Sequence, residues 1–123
     1  MALIANNQLA MDLASFVGTT QYYRINQRLV ITEGVKYLAE QARCYWLLIL
    51  YASHLASIDG EAEGFAVLKL AKQGSSADIA IEDGNDRVLA AQHVEYTDFP
   101  FDSFSLFACW NGQCWVAMLR SEY

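Results

Sequence analysis

Basic residues are scarce in this chain. It has 8 Lys and Arg against 14 Asp and Glu, a formal charge of −6, and no run of Lys or Arg anywhere. A nucleic-acid binder carries a basic stripe as its electrostatic footprint, so a nucleic-acid partner is not expected. The charge keeps the chain soluble and would draw it toward a basic partner. Long apolar runs are also lacking. The longest, Cys44–Ala52, falls far short of the ~20 residues that cross a bilayer, so no membrane association is expected. Met1–Ser15 has no basic n-region and is interrupted by Asn6, Asn7, Gln8 and Asp12, so it fails as a secretory signal. The expected address of the chain, read as a full-length product from Met1, is the cytoplasm, where its three cysteines would be thiols. Gly-x-Ser-x-Gly, Walker, Gly-x-Gly-x-x-Gly and His-Glu-x-x-His motifs are all absent. No cofactor or metal is expected on that basis.

What is present is apolar. The 123 residues are 54% hydrophobic and 18% charged, enough for a single domain over 1–123 with one core. The excess suggests that something besides the chain covers part of the apolar surface. The fold class expected is α+β, a long apolar helix packed on an antiparallel meander of about five strands, with a small N-terminal helix and hairpin. Residues 7–16 form the short helix, and Tyr22–Ile25 with Leu29–Thr32 the hairpin. The long helix runs from about Gly34 to Ser57, with Thr32 or Glu33 near its start and no internal Gly or Pro. At helical spacing Val35, Leu38, Ala42, Tyr45, Ile49, Ala52 and Ala56 share one face, and Trp46 and Ile49 are expected against the sheet. A second stripe, Tyr37, Cys44, Leu48, Tyr51 and Leu55, lies nearly opposite and requires a second cover.

From Phe65 onward the chain reads as strand: 65–71, 77–82, 88–96, 104–110 and 113–119. Pro100, the only proline, lies in the 97–103 loop. Asn111-Gly112 predicts a two-residue hairpin turn. That register would set Cys109 directly opposite Cys114 as a possible redox pair. The alternative is two inert core thiols. The final hairpin is apolar on both faces, with Phe107, Cys109, Cys114 and Val116 on one and Leu106, Ala108, Trp115 and Leu119 on the other. His93 and Glu95 lie two apart on a strand and could act as metal ligands or an acid/base pair, although any solvated strand face carries such pairs.

Several stretches carry a resemblance. They are Phe16-Val17-Gly18-Thr19-Thr20-Gln21-Tyr22-Tyr23-Arg24, Thr32–Ala42 followed by Tyr45-Trp46-Leu47-Leu48, Glu82-Asp83-Gly84-Asn85 and Tyr96-Thr97-Asp98-Phe99-Pro100. Together they are similar to a family of small bacterial proteins of unknown function often carried by plasmids and mobile elements. The resemblance implies a glycine where this chain has Arg43 and an acidic residue near Ile49. It implies no activity and no catalytic residue.

Two functions follow as expectations. The first is a small acidic protein–protein interaction module, possible modulator of a host or mobile-element protein, forming a homo-oligomer or meeting a protein partner. Its interaction surface would comprise Tyr37, Leu48, Tyr51, Leu55 and Trp115. The second is a small enzyme or metal/redox-binding domain using the Cys109/Cys114 hairpin and His93/Glu95.

Overall fold

The computed structural model describes residues 6–123; the first five residues of the Met1–Ser15 segment lie outside them. Helix α1 is Asn6–Ala14, followed by strands β1 Tyr22–Arg24 and β2 Leu29–Thr32. Helices α2 Glu33–Gln41, α3 Tyr45–Leu55 and α4 Gly60–Glu63 come next. Strands β3 Phe65–Gln73, β4 Ser76–Glu82, β5 Val88–Val94, β6 Ser103–Trp110 and β7 Trp115–Leu119 lead to a C-terminal 3-10 turn, Arg120–Glu122. None of the described helices is long and apolar enough to cross a membrane.

The single long helix is corrected by this structure. Thr32 caps α2 by accepting from the Val35 N–H at 3.3 Å, as the sequence suggested. The helix then stops at Ala42. Arg43 takes a left-handed φ of 53°, and the Cys44 N–H donates to the Ala39 carbonyl at 3.0 Å. This is a Schellman-type end, with Arg where Gly is the usual residue. It starts α3 in a new phase. Leu47, Leu48, Tyr51, Ala52 and Leu55 turn inward, while Ile49 is 63% exposed and Tyr45 is partly so. Ile49 therefore does not face the sheet, and Trp46 is only partly buried.

The five-strand meander is also corrected. One mixed seven-stranded sheet has the order β1-β2-β7-β6-β3-β4-β5. Strands β3, β4 and β5 do form a meander, but β6 returns to pair with β3 on its other side. The expected hairpin β1–β2 forms, with Tyr22 opposite Thr32. It joins the sheet because β2 runs parallel to β7, Leu29 opposite Trp115 and Ile31 opposite Ala117. The loop after β5 recrosses the sheet end, and Phe99 is buried there beside Phe104, ring centroids 5.6 Å apart.

One core lies between the helices and one sheet face. On that face sit Ala66, Leu68 and Leu70 of β3, Ile79 and Ile81 of β4, and Leu106, Ala108, Trp115, Ala117 and Leu119 of β6 and β7, all buried. Tyr51 closes the helix–sheet joint by donating its hydroxyl to the carbonyls of Ala66 (2.9 Å) and Leu106 (3.3 Å), so a polar atom at full burial keeps partners.

Candidate functional site

Strand alternation places every second side chain on the far side of the sheet, which none of the described helices covers. Two regions result. On one, Phe107 lies between Met118 and Val67, Cys109 lies between Val116 and Phe65, and Val30 lies opposite Val116. The C-terminal Tyr123 folds back over this region, edge-on to Phe65 at 5.4 Å and to Phe107 at 5.2 Å. The other region is floored by short side chains. Two cross-strand rows build it: Ser105, Lys69, Ala80 and Ala91, then Ser103, Ala71, Asp78 and His93. The short side chains leave a groove of about 530 Å³ on this face; a second of about 850 Å³ shares Lys69 and Ala71 but opens at the ends of β6 and β7, toward Leu13 and Ala14 of α1 and the core-facing Leu70 and Leu119.

The charges here are few and mostly paired. Lys69 Nζ lies 3.0 Å from Glu82 Oε1. His93 Nδ1 lies 2.7 Å from Asp78 Oδ1, at an exposed position. Arg120 borders the larger groove and has no ion pair among the described residues.

The sequence-predicted residues fall elsewhere. Leu48, Tyr51, Leu55 and Trp115 are buried in the core of the chain itself. Tyr37 is half-buried, lies tilted against Phe16 and donates its hydroxyl to Asp12 Oδ2 at 2.8 Å. That hydrogen bond to a carboxylate raises the phenol above its ordinary value. The exposed apolar side chains are instead Tyr45 and Ile49 on α3, Tyr22, Val88, Tyr96 and Tyr123 among them. The break at Arg43 exposes the first two, because it rotates the helix phase, and no residue type at that position marks it in the sequence.

The Cys109–Cys114 opposition is corrected as well. Trp110 pairs with Trp115 and Cys109 with Val116, so 111–114 form a four-residue turn. Asn111 Oδ1 accepts from the N–H groups of Gln113 (2.9 Å) and Cys114 (2.8 Å), and the Asn111 N–H donates to the Cys114 carbonyl. All three cysteines are free thiols. Burial raises the Cys109 thiol and pushes Cys44 up to about 12, which disfavours the thiolate. His93 is held by Asp78 on β4, whereas Glu95 lies beyond the end of β5 and is exposed. Among the described residues no group of three or more His, Cys, Asp or Glu could hold a metal ion.

Residues 7–123 match the family of unknown function DUF6876, and the chain belongs to that family. No curated protein and no solved structure matches the chain.

Proposed function

We propose that this member of the family is a small acidic protein-interaction module that meets a protein partner through the uncovered face of its sheet. One observation carries the reading. The described helices lie on a single side of the seven-stranded sheet, and on the other side a groove bordered by Lys69, Ala71, Ala80, Ala91 and His93 has no covering layer among the described residues. The bacterial mobile-element setting implied by the resemblance suits a factor that modulates a host or element-encoded protein. A photo-crosslinking residue at Ala80, on this face, is compared with one at Ser53 on exposed α3. The expected result is one discrete adduct from position 80 in the native host, lost when Ala91→Arg fills the face. Adducts of equal yield from both positions would overturn the proposal.

A second reading concerns self-association. Strand β5 is an outer strand of the sheet; its pairing with β4 shifts register at Leu89, and over Ala90–Val94 it carries neither Pro nor Lys to blunt its edge. An antiparallel copy centred on Ala91 would set Ala90 against Gln92 on the regular part of the strand, with no like charges opposed. Light scattering over a hundredfold dilution tests this. A dimer mass that falls to monomer in Leu89→Lys supports it, and a monomer at every concentration removes it.

A further inference from the structure

Strand β6 is paired with β3 along its whole length, from Cys109 opposite Phe65 to Ser103 opposite Ala71. On its other side β7 pairs only from Trp110 opposite Trp115 to Leu106 opposite Leu119. The chain then leaves the sheet at Arg120. The direction of the backbone groups follows from the ladder. The Lys72 N–H donates to the Asp102 carbonyl at 2.7 Å and the Trp110 N–H to the Gly64 carbonyl at 3.0 Å. Even-numbered residues of β6 therefore address β3, and the odd-numbered Ser103 and Ser105 turn their N–H and C=O groups the other way. The Leu106–Leu119 pair is itself bracketed by Ser105 facing Arg120, so the Ser105 carbonyl is taken; the N–H and C=O of Ser103 and the N–H of Ser105 have no ladder partner among the described residues.

The 850 Å³ groove lies at this gap. It is bordered by Ser103 and Ser105 of β6, by Leu13 and Ala14 of α1, and by Arg120 and Ser121 of the terminal turn. Among the described residues no carboxylate lines it, although the chain as a whole carries −6, while Lys69 and Arg120 do. The sign of charge is thus reversed locally. Lys69 is shared with Glu82, which lies outside the groove lining, and Arg120 is not shared.

We infer that this gap takes a short extended acidic peptide segment of a partner, which adds beside Ser103–Ser105 as the missing strand. Main-chain bonds to Ser103 and Ser105 supply the pairing, as in other strand additions, and Arg120 with Lys69 selects an acidic side chain. The inference rests on the interaction reading and deepens it by naming where the partner docks and with what chemistry.

The test uses the full chain, N-acetylated C-amidated peptides TVEVDVT and TVKVKVT, and free glutamate. Amide exchange and shifts at Ser103 and Ser105 are followed by NMR. Both amides should exchange quickly in the free protein and become protected by the acidic peptide alone. Arg120→Gln and Lys69→Gln should each weaken that binding by about two- to fivefold, the range of an exposed ion pair. Ser105→Pro should abolish it while leaving the β3 pairing intact, because the lost N–H points into the gap. Any of these overturns the inference: slow exchange at Ser105 in the free protein, equal protection by the basic peptide, glutamate alone reproducing the shifts, or no peptide binding. Peptide-induced shifts confined to Ala80 and Ala91 overturn it too, yet leave the interaction reading standing. The crosslinks at position 80 judge that reading separately.

Discussion

Trp110 lies so close to Gly60 that a β-carbon built on the glycine would sit 2.1 Å from the indole Cδ2. The contact joins the end of β6 to α4, whose start is capped by Asp59 accepting from the Glu61 N–H at 3.0 Å. Trp110 Nε1 also donates to Glu61 Oε1 at 3.0 Å, so the ring is held from two directions. Gly60→Ala would gain up to about 1 kcal/mol in helix propensity. Overpacking against a rigid ring costs more, and we expect a net loss of about 1–3 kcal/mol. Urea unfolding followed by tryptophan fluorescence checks it. A midpoint at or above that of the parent would mean the ring moves freely.

Arg43 occupies a left-handed conformation with φ of 53°. A side chain there costs energy that glycine avoids, roughly 1–2 kcal/mol, partly offset by the larger unfolded-state entropy of glycine. Arg43→Gly should therefore raise stability by up to about 1 kcal/mol. Arg43→Ala keeps the β-carbon and should change little. Thermal unfolding of the two variants separates the backbone effect from loss of the guanidinium.

These cases show where the sequence was legible. The strands from 65 onward, the first hairpin and the two faces of the last hairpin could be read, because period-two alternation reports burial directly. Phe107, Cys109 and Val116 do share one face, and Leu106, Ala108, Trp115 and Leu119 the other. The helix break was hidden because Arg is a good helix former, so its residue type does not mark the left-handed turn found at Arg43. The Cys109 register was misread because Asn111 uses its side chain to cap a longer turn. The parallel contact of β2 with β7 leaves no local signature at all. The gap at the end of β7 depends on that topology, so the candidate site was beyond reach.

The helix phase gives a direct test. Ile49→Glu should alter stability by less than about 0.5 kcal/mol, since its side chain is mostly in solvent. Leu48→Ala, one residue earlier and fully buried, should cost about 2–5 kcal/mol. Similar urea midpoints for the two variants would contradict the break at Arg43.

Glu33 predicts an acid dependence. Its carboxylate accepts from the Thr20 N–H and hydroxyl, from the Thr19 hydroxyl and from the Gln21 N–H. Those bonds, the Thr20 N–H foremost, hold it below its ordinary value of 4.5. A depressed folded value stabilises the fold above the unfolded value, and that contribution is lost as pH falls through the folded one. Stability should decline on acidification below about pH 4.5, and Glu33→Gln should flatten that part of the profile. An unchanged slope in the variant would place the acid sensitivity elsewhere.

The last prediction concerns the thiols. Cys109 is opposite Val116, so Cys114 is displaced two residues along the hairpin and lies within the turn. A diagonal of that kind separates Cα atoms by about 7–8 Å, beyond the usual span of a disulfide. Mild oxidation of the folded chain should therefore yield no Cys109–Cys114 bridge. Burial also raises the Cys109 thiol, so even its half-exposed sulfur should alkylate slowly near neutral pH. Cys44 should be slower still, because its thiol is buried and pushed up to about 12. Timed iodoacetamide labelling with peptide mass analysis gives the order, Cys109 before Cys44. A rapid 109–114 crosslink in the native protein would require the hairpin to slip by two residues, and would return these cysteines to consideration as a redox pair.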